Sequence, residues 1–485
     1  MPTLDPNTPP PHGCFIANEY SAGKGTSWKL TNPKNSQPFH ELTGASSEQV
    51  HEAVDAATHA FHTGEWSRCT GYSRGRYLTQ LADLIEENGH ALATFESLAS
   101  GRPISMVLKS DVPRVAEVFR YYAGWADKIR GDSFPAEDGF YKIVEQKPLG
   151  VCAAITAWNA SLHFLAWKVG PALALGNTVI IKPSEKSPLG TLAFGSLVQA
   201  AGLPAGVVNI LSGDGTIGDL LARHGSVQKV SFTGSLKTGR KIQIAAAQSN
   251  LKRVTLELGG KSPAIVFEDA DLPTALTWCV RGITVNSGQI CAATSRLLVH
   301  ESMATEFVQR LQREFDAIAQ SLGQDPQEMT TTYGPLVDRA QYESVASYVG
   351  DEEQRRQLLG RPLEDGHYMP PIVIQSPSHD SPVYQEEVFG PVLCVESFAT
   401  EDEALRKAHD TEYGLAASIY TQNLNRAVRI WQKIGAGSVY LNCAAVVGPQ
   451  VPCGGFQSSG LGRELGEYAL RHYAEPRTIW INIGR

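Results

Sequence analysis

Cys291 sits in the stretch TVNSGQICAATSRL, residues 284–297, among small side chains and shortly after Gly288 and Gln289. The stretch is too polar for a deep core and too apolar for a solvated loop. Most lone cysteines are small core residues, and only reactivity sets one apart. A nucleophilic thiol needs access, a depressed pKa or a nearby base, and donors for the oxyanion its attack creates. Spacing within one chain does not show such groups converging. Asn159, Lys182 and Glu257 are residues to examine because each stands at the carboxyl end of a predicted strand.

Several stretches could hold phosphate or ribose. LSGDGTIG carries G-x-G-x-x-G at Gly213, Gly215 and Gly218, between a strand-like and a helix-like run, but no acidic residue follows at ribose distance. SFTGSLKTG offers Thr233, Gly234 and Ser235 at the start of a helix, where free N–H groups and the dipole suit pyrophosphate. The spacing leaves both open, as well as an ordinary turn. GGKS at 259–262 lacks the earlier glycine of an ATP-binding loop, because position 255 is threonine. IIKPSE ends a buried strand with Lys182 and Glu185, a lysine for ribose hydroxyls and a carboxylate that would repel a 2′-phosphate.

These residues lie at the ends of predicted strands. From about residue 148, β-rich runs alternate with helical ones, which predicts a parallel sheet covered on both faces. Ligands gather outside the carboxyl ends of such strands. A second α/β run extends from about 260 to 458. Before the first, Ser46 and Gln49 form a capping box for a helix, and one long helical region is expected over roughly 73–131. GFYKIVEQKP (139–148) and RTIWINIGR (477–485) read as exposed strands that invite pairing with another subunit, so a homodimer or homotetramer is expected.

With 485 residues, the chain exceeds one ordinary core. It is 42% hydrophobic and 19% charged with net charge −8, and no basic block suggests a nucleic-acid partner. No apolar run is long enough to span a membrane. MPTLDPNTPPPHG reads as a floppy arm rather than a signal peptide. The eight scattered cysteines suggest reduced thiols and a cytoplasmic location, and no ligand cluster indicates a metal.

TLELGGKSP (255–263), NSGQICAATSRLLVH (286–300), EEVFGPV (386–392) and GRELGEYAL (462–470) resemble the aldehyde dehydrogenase superfamily. So do AWN (157–159), KVGPALALGNTVIIKPSEKSPL (168–189) and FTGS (232–235), in family order across nearly the whole chain. The resemblance implies a Rossmann-like NAD-binding domain (1–127 and 149–257), an α/β catalytic domain (258–458) and a small β oligomerisation arm with a C-terminal strand (128–148 and 459–485). It implies Cys291 as nucleophile, Asn159 as oxyanion donor, Glu257 as the base that hydrolyses a thioester, and Lys168 near the oxyanion site. Lys182, Glu185 and Glu387 match ribose positions, Ser235 beside Gly234 a pyrophosphate contact, and Trp158 and Phe389 the nicotinamide lining. That places the phosphate site at Ser235 rather than at the glycine fingerprint. Glu185 favours NAD, while Lys182 also admits NADP. The presence of Glu257 predicts a free acid rather than an acyl-CoA product.

The chain departs from the family around the substrate. Ala160 and Ser161 replace a frequent Phe-Pro, Val447 and Cys453 stand where aromatics are common, and Arg114 stands at an often apolar position. Trp167 keeps one aromatic wall, Ile290 flanks the nucleophile, and His163 and Phe164 could refill the space. The expectation is a wide tunnel with a cation near its mouth, suited to a bulky or carboxylate-bearing aldehyde. The alternatives are a catalytically silent relative of the same fold, or a thiol esterase.

Overall fold

The computed structural model describes residues 3–10, 12–350 and 366–484. Its first sheet has five central parallel strands: Val151–Ile155, Thr178–Lys182, Val208–Leu211, Val227–Thr233 and Arg253–Glu257. Numbered along the chain, they lie in the order 3-2-1-4-5. That order is the one in which two half-sheets diverge from a central crevice. A hairpin of Cys14–Ile16 and Glu19–Ser21 closes one edge antiparallel, and Gly460–Leu461 closes the other.

The strands form here because alternate residues are buried on both faces. Cys152, Ala154, Val179 and Ile181 enter one core. Val151, Ala153, Ile155 and Ile180 enter the other. Near-continuous apolar runs of this kind fit only a sheet sandwiched between helices.

A second sheet is parallel throughout. Its order is Ile372–Gln375, Val392–Phe398, Arg296–His300, Pro263–Val266, Ala416–Tyr420 and Ser438–Leu441. A third, three-stranded sheet pairs Ala474–Asn482 with Phe140–Pro148, and Phe140–Pro148 with Asp132–Phe134, all antiparallel. The two sequence-predicted exposed strands therefore pair with each other inside the chain. Among the described residues, no helix is long and apolar enough to cross a membrane.

The expected capping box is present: Ser46 accepts from Gln49 N, and the Gln49 side chain accepts from Ser46 N. The helical region expected over roughly 73–131 is made of Gly71–Glu87, Gly89–Ser100, Ile104–Met106 and Val112–Trp125. Gly101 adopts φ +75°, a left-handed conformation that ends one helix at little cost to glycine. Pro113 has no N–H and crowds the carbonyl four residues back, and the turn before it widens into a π-helix at Val107–Asp111.

Residues 4–8 of the N-terminal arm, expected to be floppy, are tied down. Leu4 N donates to Asn88 Oδ1 at 2.7 Å, and the Asp5 carboxylate accepts from Asn7 N and Thr8 Oγ1. Its prolines restrict the unfolded chain, which lowers the entropic cost of ordering it.

Candidate active site

The carboxyl ends of the first sheet and one end of the second enclose a cavity of about 470 Å³. Its walls include Asn159, Thr233 and Glu257 from the first sheet's strand ends, and Ala416, Ser438 and Tyr440 from the second sheet. Cys291 lines it, on the loop between Val285–Gly288 and the strand Arg296–His300. The three residues expected to do chemistry, far apart in sequence, therefore face one space.

The loop before Cys291 is held in an unusual shape. Asn286, Ser287 and Gly288 have φ of 51°, 54° and 74°, three left-handed residues in succession. That conformation costs a non-glycine residue about 1–2 kcal/mol. It is stabilised by buried bonds: Gln289 Nε2 donates to Asn286 O at 2.9 Å, Val337 N donates to Gln289 Oε1 at 2.9 Å, and Ser287 Oγ donates to Gly334 O at 2.5 Å. Asn159 Nδ2 donates to Gln289 O at 3.0 Å, so one of its two amide hydrogens anchors it beside Cys291. Asn159 O in turn accepts from Arg102 Nη1 at 2.6 Å and Asn286 Nδ2 at 3.2 Å.

Burial pushes the Cys291 thiol up to about 12, with Glu387 and then Glu257 adding to the rise; the N–H groups of Ala292 and Cys291 oppose it. Glu257 ends the strand Arg253–Glu257, and its Oε1 is buried without a hydrogen-bond partner. Burial first, then the charge of Glu464, lifts its carboxyl well above the usual range, against Lys168 and Arg463. Gly454 is required beside it, because a Cβ there would stand 2.5 Å from Glu257 Oε1. Lys168 is fully buried; its Nζ donates to Thr233 Oγ1 at 2.7 Å and pairs with Glu464. Lys168 thus belongs to a polar network behind Glu257.

A second group of residues surrounds the strand ends. Lys182 Nζ meets Glu185 Oε2 at 3.4 Å, and burial lowers its ammonium pKa, partly offset by Glu185 and Asp214. Ser235 caps the helix Leu236–Gln248, and Gly234 N donates to Glu257 O at 3.0 Å. Glu387 Oε1 accepts from Gly260 N at 3.1 Å, and burial raises its carboxyl to about 7. Glycine at 259 leaves it room, since a Cβ would fall 2.1 Å from Glu387 Oε2. Trp158 and Phe389 meet edge-on with ring centroids 5.4 Å apart. The fingerprint glycines open the short helix Gly215–Arg223, whose cap Asp214 accepts from Thr216 N at 2.8 Å.

All the expected tunnel residues, Arg114, Ala160, His163, Trp167, Ile290, Val447 and Cys453, line the cavity. Arg114 is exposed, and its Nη1 donates to Val447 O at 3.3 Å. Four participants were not anticipated. Arg102 Nη2 donates to Asp111 Oδ2 at 2.5 Å, and His163 Nε2 meets Asp111 Oδ1 at 3.2 Å. Glu464 joins the Lys168 network; it lies within GRELGEYAL, so the motif held a signal. Arg281 enters the cavity wall over the Trp278 ring, 5.3 Å from its centroid.

Fold and site define an α/β protein in which a thiol, an amide and a carboxyl converge where two parallel sheets meet. A model of the aldehyde dehydrogenase family matches residues 20–479, and the chain belongs to that family. It is 41% identical over 480 residues to an aldehyde dehydrogenase of Aspergillus niger, covering 98% of this chain and 96% of that protein. It is 40% identical over 476 residues to retinal dehydrogenase 2 of Homo sapiens, covering 97% and 91%. The NAD+ complex of an aldehyde dehydrogenase from Bacillus cereus superposes with a TM-score of 0.93 at 37% identity, covering 98% and 97% of the two chains.

Proposed function

We propose that this chain oxidises an aldehyde to the free carboxylic acid with NAD, using Cys291 as the nucleophile. The carrying observation is that Cys291, Asn159 and Glu257 line one cavity at the strand ends of a 3-2-1-4-5 sheet. Cys291 Sγ loses its proton to bulk water and attacks the carbonyl carbon, so that the C–S bond forms as the C=O π pair moves onto oxygen. The Asn159 amide hydrogen not engaged by Gln289 donates to the resulting oxyanion; losing such a donor costs about 2.7–4 kcal/mol in barrier. After oxidation to the thioester, Glu257 as carboxylate takes a proton from the water that attacks it. Its raised pKa makes that carboxylate a stronger base than an exposed one.

NAD, when bound, supplies the hydride acceptor. The residues present fit it: Lys182, Glu185 and Glu387 offer ribose partners, and Ser235 with Gly234 opens a helix start for pyrophosphate. The cradle at Gly259, which any Cβ would fill, supports the same reading. Glu185 and the nearby Asp214 disfavour a 2′-phosphate and hence NADP. Residues 1–127 and 149–257 serve the cofactor, 258–458 carry catalysis, and 128–148 with 459–485 form an arm between subunits. All eight cysteines are free, in keeping with a reducing, cytoplasmic setting.

The substrate is a bulky or carboxylate-bearing aldehyde, since the cavity is wide and Arg114 stands exposed on its wall. A panel of aliphatic, aromatic and acidic aldehydes with NAD tests both levels. Reduced-nicotinamide absorbance should rise, vanish in Cys291→Ser, and favour acidic aldehydes until Arg114→Met removes the preference. Turnover that survives Cys291→Ser would end the nucleophile assignment. A selectivity untouched by Arg114→Met would end the anionic one.

A further inference from the structure

The helix Ser161–Ala174 starts just after Asn159 and turns one face to the cavity. Ala160, His163, Phe164 and Trp167 line it, at helical spacing. His163 is the one titratable side chain among them. Its ring tilts against Trp167 with centroids 6.1 Å apart, and Phe164 meets Trp167 edge-on at 5.6 Å. An imidazole set among aromatic rings calls for a physical reason.

The reason lies behind it. His163 Nε2 stands 3.2 Å from Asp111 Oδ1, and the other Asp111 oxygen accepts from Arg102 Nη2 at 2.5 Å. Asp111 and Arg102 are only 7% and 5% exposed. A buried ion pair is a poor source of net stability, so this one is better explained by what it positions. At one end Arg102 Nη1 donates to Asn159 O at 2.6 Å; at the other, Asp111 holds His163. Burial raises the Asp111 carboxyl, but the Arg102 charge and His163 outweigh it and hold the group below the usual carboxylate range. A carboxylate can only accept, so the imidazole hydrogen stands on Nε2 and a lone pair is left on Nδ1. Nδ1 has no hydrogen-bond partner among the described residues. The His163 side chain is 16% exposed and lines the cavity, so the cavity is what Nδ1 meets.

We propose that His163 determines specificity: its Nδ1 accepts a hydrogen bond from a hydroxyl carried by an aromatic aldehyde, and Asp111 is the positioning residue that fixes this tautomer. The inference rests on the reading of the cavity as the site of a bulky aldehyde, and narrows it. The aromatic part follows from the walls, where Trp278 and Tyr440 join Phe164 and Trp167. The hydroxyl follows from the lone pair, which needs a donor. A carboxylate offers none and would be repelled by Asp111; its place is at Arg114, exposed on the same wall.

The test compares 3- and 4-hydroxybenzaldehyde with 3- and 4-methylbenzaldehyde, which are of similar size but donate nothing, in the presence of NAD. The quantity read is kcat/KM for the hydroxyl aldehyde over its methyl analogue. Differences in intrinsic reactivity cancel between parent and variant, and so does any damage to Asn159, which both aldehydes share. The parent chain should favour the hydroxyl at one ring position. His163→Phe and Asp111→Asn should each lower that ratio about tenfold, through KM more than kcat, because the contact is remote from the reacting carbon. Where a variant shows no turnover, calorimetric binding of the same two aldehydes in the Cys291→Ser background gives the ratio instead. A ratio unchanged in His163→Phe would overturn the proposal, and one kept in Asp111→Asn alone would overturn the positioning role. If His163→Phe instead costs the turnover of 4-formylbenzoate and spares the hydroxyl ratio, the residue reads an anion and the hydroxyl assignment falls. A parent chain that oxidises no aldehyde would end the underlying reading as well; one that oxidises all of them without favouring a hydroxyl would end this inference alone.

Discussion

Burial and two carboxyls hold the Cys291 thiol neutral at rest, and burial with Glu464 raises the Glu257 carboxyl. A thiol lifted to about 12 is a thiolate only in small fraction at neutral pH, and that fraction grows about tenfold per pH unit below the pKa. Alkylation of Cys291 by iodoacetamide in the cofactor-free chain should therefore climb about tenfold per unit from pH 7 to 9, read on its tryptic peptide. A plateau reached by pH 8 would mean that the thiol is activated without substrate. At this scale the sequence was informative where a motif carries the residue. Cys291, Glu257 and Asn159 stood in recognisable stretches, and the cavity contains all three. It was silent about Arg102 and Asp111, whose value lies in contacts to Asn159 O and His163 across a fold that residue spacing does not encode.

Elements decide whether those residues meet. The alternating β and helical runs predicted a parallel sheet, and the 3-2-1-4-5 order arises because the chain steps outward twice from the first strand and then returns to build on its other side. Element breaks were harder to read. The split of the 73–131 helical region depends on Gly101 and Pro113 acting inside an otherwise continuous apolar pattern. The left-handed run at Asn286–Gly288 had no visible signature beyond small residues, because the bonds that hold it come from Gly334, Val337 and Asn159, distant in sequence. Gly288 makes that loop testable. It has φ +74°, and a Cβ would meet Gly390 O at 2.2 Å. Gly288→Ala must push two backbones apart and shift Cys291, and displacements near 1 Å cost roughly 100-fold in rate. Circular dichroism should stay native while kcat falls by that order; an unchanged kcat would show that the loop tolerates rearrangement.

At the scale of the whole molecule, two parallel sheets enclose the site and a third, small sheet stands apart from it. The sequence marked two of the three strands of that sheet as exposed and apolar; what it could not show was that they pair with each other, since pairing depends on the register of Ala474–Asn482 against Phe140–Pro148. Pairing covers only one edge of Ala474–Asn482, and among the described residues no strand lies beside its other edge. Trp480 is 61% exposed, and Ile481, Ile483, Phe134, Phe140 and Tyr141 are also exposed on this sheet. An open edge flanked by large apolar side chains is a template for another chain. A second copy of this chain, offering the same edge, would bury both at once under two-fold symmetry. Sedimentation at micromolar concentration should give a dimer or tetramer, and the double change Trp480→Glu with Ile481→Lys should give a folded monomer. The strands lie outside the cavity walls, so the monomer should keep its thiol chemistry at Cys291. A parent chain that sediments as a monomer would leave the apolar edge without a partner of its own kind.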